Sequence, residues 1–183
     1  MRPAVITERV GHRGARAVVR EARTGVAWPA VLGCAALLLG VLVYLTDRDT
    51  SRTLLIPGVP ALAASHWFGT VGQWLPSAIH PFAFSLLSAA ALPAPQARGY
   101  GACLVWCVVN VVFEMGQHPL ISAPLAQALD AAFGRGPIGG ALARYFVRGT
   151  FDVGDIVAAV AGALAAAAVV HFGPRFARVD HAD

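Results

Sequence analysis

Two long stretches without charged side chains constrain this chain more than any other feature. No Asp, Glu, Lys or Arg occurs between Arg52 and Arg98, or from Val26 to Thr46. A helix needs about 20 apolar residues to cross the hydrocarbon core of a bilayer, so these runs match membrane crossings. Only 13% of the residues are charged and 57% are hydrophobic, whereas soluble domains carry roughly 25% charged residues. The sequence therefore predicts an all-α integral membrane protein.

Charges and prolines divide the chain into about four predicted transmembrane helices. They cover Val26–Thr46, a segment near Pro76–Leu92, Gly99–His118 and Asp152–Phe172. The first run is longer than the apolar core of a signal peptide, about 7–15 residues, and lacks a cleavage site, so we expect it to be retained. An irregular or interfacial stretch is expected over His66–Trp74. The predicted domains are a basic cytoplasmic tail at residues 1–25, a four-helix membrane domain at 26–174 and a short cytoplasmic tail at 175–183.

The connection between the third and fourth crossings, residues 120–147, is predicted to carry one short helix. Leu125, Leu129 and Phe133 repeat there at helical spacing, which favours a helix lying on the membrane surface. A glycine-rich run containing Pro137 follows and indicates turns.

The distribution of arginine sets the predicted orientation, because basic residues are retained on the cytoplasmic side. Six arginines precede residue 24, and both termini are therefore predicted to lie in the cytoplasm, together with Arg98, Arg175 and Arg178. The smaller outer set comprises Arg48, Arg52, Arg135, Arg144 and Arg148. All fourteen basic residues are Arg, a coding bias typical of GC-rich bacteria. We expect a multi-pass protein of the bacterial cytoplasmic (inner) membrane.

The net charge of +4 does not indicate nucleic acid, because the basic tail lacks interleaved aromatic residues. Anionic membrane lipids are the expected partner of that tail. Cys34, Cys103 and Cys107 lie in apolar runs and are interpreted as small hydrophobes. The sequence carries no signal for an oligomeric state.

Polar residues form a stripe on the predicted third helix. Asn110, Glu114, Gln117 and His118 fall at i, i+4, i+7 and i+8, which places them on one helical face. A charged group at membrane depth costs at least about 2.5 kcal/mol, so such groups are candidates for function.

A second stripe is predicted on the fourth helix. Arg148, Asp152 and Asp155 fall at i, i+4 and i+7, and Ala159 and Gly162 continue the same line. Small residues at these positions would let another helix approach closely.

The predicted topology brings these stripes together at the outer side of the membrane. The third helix ends there, the fourth begins there, and the second, which carries His80, also begins there. We predict one outer-facing polar binding cluster, consisting of His80, Glu114, Gln117, Arg148 and Asp155.

Structural interpretations of the same residues stay open. Glu114 and Arg148 could form an ion pair that closes the bundle, because buried charges are usually paired. His80 could bond a carbonyl freed by Pro81 at a helix start. Asp152 could be no more than an acid favoured by the helix macrodipole.

The chemical interpretations also stay open. Glu114 and Asp155 are the candidate catalytic residues, as a carboxylate pair suited to acid and base work on a lipid headgroup. Together with His80 and His118 they include ligand types for a divalent metal. No His-Glu-x-x-His pattern is present, and we expect neither a metal nor a cofactor. No Gly-x-Ser-x-Gly elbow supports nucleophilic catalysis.

The order of these motifs resembles the VanZ-like membrane proteins. The resemblance rests on His80-Pro81-Phe82-Ala83-Phe84, Glu114-x-x-Gln117 and the run from Arg148 to Asp155 leading into a small-residue helix, and it covers residues 75–165. The family has about four or five membrane helices, and its founding member is associated with resistance to teicoplanin. Members usually carry Asn at the position of Ala159, where this chain departs from the pattern.

The resemblance implies an accessory or envelope-modifying role linked to glycopeptide resistance, with a cell-wall precursor or another lipid-linked ligand as partner. One alternative is a membrane enzyme that acts on a lipid-linked or phosphate-bearing headgroup, with Arg148 holding the anion. A second is a small oligomeric transporter, for which the polar stripe should continue across the bilayer. The fourth helix beyond Asp155 is instead dominated by Ala, Val and Gly.

Overall fold

A computed structural model describes residues 8–47, 67–92, 96–134 and 136–179. Within these ranges the chain is all-helical, with six α-helices and no strand, as the sequence predicts. The helices are α1 (Glu8–Asp47), α2 (Val71–Ala91), α3 (Gln96–Gly116), α4 (Pro119–Phe133), α5 (Pro137–Arg148) and α6 (Val153–Val179). Several predicted features lie outside the described residues, namely the tail segments 1–7 and 180–183, His66, and the outer arginines 48, 52 and 135.

Three of the described helices are long and apolar enough to cross a membrane. The candidate spans are Trp28–Asp47, Arg98–Gly116 and Val153–Gly173. They coincide with the first, third and fourth predicted crossings. Each exposes large apolar side chains, for example Leu38 at 71%, Leu104 at 66% and Leu164 at 66%. Such faces suit a lipid environment rather than water.

Helix α2 lies at the centre of the arrangement. It packs against α1, α3 and α6, and α3 also packs against α6. Its 21 residues give a length of about 30 Å at about 1.5 Å per residue. Helix α2 carries no charge but is not among the three candidate spans, because His80 and two prolines make it less apolar.

The chain reverses direction between successive helices of this bundle. The backbone N–H of Phe68 donates to Asp47 Oδ2 at 3.0 Å, which ties the start of α2 to the end of α1. The α4–α5 pair forms a helical hairpin that connects the end of α3 to the start of α6. At the other end of the bundle, Leu86, Cys103 and Ala166 form an apolar core cluster.

The contact between α2 and α6 depends on a glycine. A Cβ atom at Gly162 would collide with the backbone carbonyl of Ala78, so any larger residue would force the two helices apart. The predicted close approach along the stripe of small residues on α6 is therefore present, and its partner is α2.

Two predicted boundaries are wrong. Helix α2 begins at Val71 and not near Pro76, so the predicted irregular stretch shrinks to the turn at 67–70 with a left-handed Gly69 (φ 54°). Proline inside a membrane helix is tolerated when neighbouring helices compensate. The 120–147 connection contains two helices instead of one. Pro137 stands in the first turn of α5, where proline is favoured, although the surrounding glycines indicated turns.

We expect Gly162→Ala to lower the free energy of unfolding by about 1–3 kcal/mol, because the added methyl group overpacks the α2–α6 contact. Gly101→Ala is the matched control, since a Cβ at Gly101 meets nothing within 4 Å. Because alanine has a higher helix propensity than glycine, Gly101→Ala should leave the free energy of unfolding unchanged or raise it by up to about 1 kcal/mol. Thermal and denaturant unfolding in detergent, followed by circular dichroism, measures both. Equal stabilities of the two variants would contradict the packing described.

Candidate functional site

A cavity of about 300 Å³ lies at the end of the bundle where α3 ends and α6 begins. All five residues of the predicted polar cluster line it: His80, Glu114, Gln117, Arg148 and Asp155. The other lining residues are Tyr44, Pro76, Ser77, Asn110, Phe113, Tyr145, Gly149, Thr150 and Ala159. The structure thus brings together side chains from α1, α2, α3, α5 and α6.

Asn110 and Glu114 of α3 and Gln117, which directly follows this helix, line the cavity, but His118 does not. The helix ends at Gly116 and its last turn tightens, with the His118 N–H donating to the Met115 carbonyl at 3.1 Å. His118 therefore leaves the predicted stripe. Its Nδ1 accepts the backbone N–H of Leu120 at 3.3 Å and caps α4.

The sequence predicted Arg148 on the same helical stripe as Asp155, but Arg148 is the last residue of α5 and lies outside α6. Residues 149–152 are not helical, and α6 starts only at Val153. The Arg148 side chain is exposed and still lines the cavity. A Cβ atom at the next residue, Gly149, would overlap the Gln117 side chain. The loop thus passes directly over the end of α3.

Asp152 fixes this loop through three hydrogen bonds. Its backbone N–H donates to Glu114 Oε1 at 2.7 Å. Its carboxylate accepts the Gly154 N–H at 2.7 Å and the Trp74 Nε1–H at 3.1 Å. The first of these carboxylate contacts caps α6, in agreement with the helix-terminus interpretation. The other two bonds join α3 and α2 to the loop, so Asp152 positions the site although it does not line the cavity.

Asp155 is held by α2. The Ser77 hydroxyl donates to Asp155 Oδ1 at 2.6 Å, a short bond of the charge-assisted kind. Glu114 and Asp155 are therefore each fixed through one oxygen, by partners on different elements. The ion pair between Glu114 and Arg148 that the sequence left open is not formed among the described residues.

His80 lies inside α2 and not at a helix start, so the interpretation that it bonds a terminal carbonyl is wrong. Its ring stacks between Tyr44 and Phe84, with centroids 6.3 and 6.1 Å away. Phe84 in turn stacks on Trp106 at 4.7 Å. An aromatic column thus leads from the imidazole towards the apolar half of the bundle.

Tyr145 on α5 closes another side of the cavity. It accepts a hydrogen bond from Gln117 Nε2 at 2.9 Å and packs edge-on against Phe113 at 5.8 Å. Burial raises the pKa of the Tyr145 hydroxyl to about 12, and Tyr44, Glu114 and Asp155 add to the rise. The phenol therefore stays protonated and neutral throughout the physiological range.

Sequence reasoning missed Ser77, Tyr44, Tyr145 and Trp74 as parts of the site. A signal existed for Ser77, which precedes His80 by three residues and so shares its helical face. Tyr145 lies in the 120–147 connection after the glycine-rich run, where no element was predicted, and Tyr44 is a single polar residue near the end of an apolar run. Neither carried a spacing that pointed to the cavity.

The arrangement suits binding of a polar group more than metal chemistry. In the described part of the chain, no group of three or more His, Cys, Asp or Glu side chains is placed to hold a metal ion. The lining instead combines acceptors from two carboxylates with donors from a guanidinium and an amide.

The fold and the cavity define an all-helical protein with three helices able to cross a membrane and a polar cavity at one end of its bundle. No protein-family model, curated protein or solved structure matches the chain.

We expect the protein to lose stability as pH rises from about 10, the unfolded-state pKa of tyrosine, towards the folded-state value of about 12 for Tyr145. In that window the unfolded chain releases the phenolic proton and the folded chain keeps it, so unfolding becomes more favourable. Tyr145→Phe should flatten this part of the stability curve, measured by unfolding in detergent at stepped pH. An unchanged alkaline slope in Tyr145→Phe would assign the loss to another group.

Proposed function

We propose that this chain is a multi-pass protein of the bacterial cytoplasmic membrane with four crossings, α1, α2, α3 and α6, and both termini in the cytoplasm. The fourth crossing is α2. It is uncharged, has 21 residues and is packed against all three candidate spans. The excess of arginine in the N-terminal region supports the orientation.

In this orientation the cavity opens towards the outer leaflet. The end of α1, the start of α2, the end of α3 and the start of α6 all lie on that side, and each contributes to the lining. The α4–α5 hairpin then lies at the outer surface of the membrane. Exposed Leu120 and Phe133 support an interfacial position for it.

We infer that the cavity binds the polar headgroup of a lipid or lipid-linked ligand. The observation that carries this proposal is the convergence of Glu114, Asp155 and Arg148, from three helices, on one cavity. Glu114 and Asp155 lie within two of the candidate spans, where charged groups are costly and typically mark a site. A cavity of about 300 Å³ lies at the lower end of the range for small-molecule sites, roughly 300–1,000 Å³, and suits a headgroup.

The resemblance to VanZ-like proteins supplies the biological context of the proposal: an accessory or envelope-modifying role linked to teicoplanin resistance, with a cell-wall precursor as one such ligand. Ala159 lines the cavity at the position where that family usually carries Asn. A methyl group therefore replaces an amide in the wall, and the contact made there is apolar.

A membrane enzyme acting on the same headgroup is the second candidate. It is favoured by the presence of both carboxylates and Arg148 in one cavity, which supplies an acid, a base and an anion-binding group. The transporter alternative has less support. Leu86, Cys103 and Ala166 form an apolar cluster in the other half of the bundle.

The topology is tested with paired reporters fused after residue 183 and inserted between residues 134 and 136. We expect a reporter that is active in the cytoplasm to work at the C-terminus, because four crossings return the chain to its starting side. A reporter that is active only after export should work in the α4–α5 loop, because three crossings precede that loop. Activity of the cytoplasmic reporter at both positions would overturn the four-crossing topology.

The functional proposal is tested by teicoplanin and vancomycin susceptibility of a sensitive Gram-positive host. We expect the wild type to shift teicoplanin susceptibility alone, and Glu114→Gln or Asp155→Asn to abolish the shift while still inserting into the membrane. Asp130→Asn is the matched control, because it removes a carboxylate from α4 outside the cavity lining. Absence of any shift with the wild type would remove the envelope role.

A further inference from the structure

The charged residues that line the cavity lie on three different helices. Glu114 and Asp155 lie on α3 and α6, and Arg148 lies at the end of α5. All three line the same space, yet the described residues contain no ion pair between them. Opposite charges that share a cavity without pairing leave room for a ligand that satisfies both.

Each charged group retains unused hydrogen-bonding capacity. Glu114 engages the loop through Oε1 and Asp155 engages Ser77 through Oδ1. Their second oxygens, Oε2 and Oδ2, and the Arg148 guanidinium bond no other described residue. Carboxylates only accept hydrogen bonds and guanidinium only donates them. A ligand that matches this cavity therefore offers N–H donors to the two carboxylates and anionic oxygens to the guanidinium.

The balance of these charges excludes the simpler ligands. Two carboxylates face one guanidinium, so a purely anionic group meets net repulsion. A purely cationic group satisfies the carboxylates, but it gives Arg148 no partner and is repelled by the guanidinium. A ligand that carries both signs satisfies every charged residue of the lining.

We propose that the cavity recognises a zwitterionic aminoalkyl phosphate, with a primary ammonium against Glu114 and Asp155 and the phosphate on Arg148. Arg148 suits phosphate because its planar fork donates two parallel bonds. The aromatic residues Tyr44, Phe113 and Tyr145 also line the cavity, and aromatic rings attract an ammonium group that lies over their faces. This proposal rests on the proposed function, namely that the cavity binds a headgroup, and it names the class of headgroup.

A primary ammonium fits better than a quaternary one. Oε2 of Glu114 and Oδ2 of Asp155 need donors, and a trimethylated nitrogen has none, so binding it would desolvate both oxygens without replacing their hydrogen bonds. The same zwitterionic phosphodiester occurs on a phospholipid and on free glycerophosphoethanolamine, and the experiment separates these two sources.

The test uses the full chain purified in detergent and follows its melting temperature during titration with short-chain phosphatidylethanolamine, phosphatidylglycerol, phosphatidylcholine, free glycerophosphoethanolamine and inorganic phosphate. A ligand that binds the folded state raises the melting temperature, because binding adds RT ln(1 + [L]/Kd) to the free energy of unfolding. We expect phosphatidylethanolamine to bind about tenfold or more tightly than phosphatidylglycerol, because juxtaposed like charges select against the anion. Binding of free glycerophosphoethanolamine as tight as that of the lipid would assign the same site to a soluble ligand.

Variants tie the selectivity to the cavity. Glu114→Gln and Asp155→Asn should erase the preference for the ammonium-bearing lipid over phosphatidylglycerol. Arg148→Gln should weaken phosphatidylethanolamine binding. Arg144→Gln, one turn earlier on the same helix and outside the lining, should bind like the wild type. The melting temperature of each variant without ligand shows whether it is folded.

The outcomes separate the two levels of the proposal. Phosphatidylglycerol binding as tight as phosphatidylethanolamine and lost in Arg148→Gln would overturn the zwitterion assignment but keep a headgroup site. Equal binding of phosphatidylcholine would overturn the role of the N–H donors. If none of the cavity substitutions that leave the protein folded changes the binding of any titrated lipid or headgroup, both the headgroup site and its zwitterionic ligand are wrong.

Discussion

The rest of the structure depends on enclosing α2 among more apolar helices. This helix carries His80, Ser77 and two prolines, so on its own it would expose polar side chains and an interrupted backbone. Packing against α1, α3 and α6 removes that exposure, and Gly162 lets α6 come into backbone contact with α2 at Ala78. The three surrounding helices in turn present Leu and Val outward. A polar interior behind an apolar exterior is the arrangement that a bilayer favours.

The enclosed polar groups are ordered by one short loop. Residues 149–152 leave α5, pass over Gln117 and return as α6, and Asp152 bonds α3, α2 and the first turn of α6 at once. Loss of its carboxylate would release Trp74 and the first turn of α6, whereas the bond to Glu114 is made by the backbone N–H of Asp152. The loop also carries the chain away from Arg148, whose side chain lines the cavity without being tied to any described residue. Two carboxylates held by hydrogen bonds thus share the cavity with a guanidinium that bonds no described residue.

Sequence periodicity and alternating topology were enough to predict the all-α architecture and to bring His80, Glu114 and Asp155 to one end of the bundle. These inferences use only spacing within one helix and the direction of successive helices. They failed where the backbone departs from one continuous helix. His118 leaves the α3 stripe because the last turn tightens, and Arg148 belongs to a separate helix because four residues before α6 are not helical. Tyr145 and Trp74 reach the site through tertiary contacts that no local pattern encodes.

The absence of a Glu114–Arg148 ion pair within the described residues bears on why these charges are present. A charge pair kept for stability would be expected to close, because an unpaired ion in a partly buried site loses solvation without compensation. Replacement of a buried pair by apolar residues is often neutral or stabilising, so stability alone gives little reason to keep either charge. Glu114 is instead held by a backbone N–H and Asp155 by a serine, in positions that leave one oxygen of each available. Carboxylates fixed in this way are prepared for a donor from outside the chain, as expected of a binding site and not of a structural ion pair.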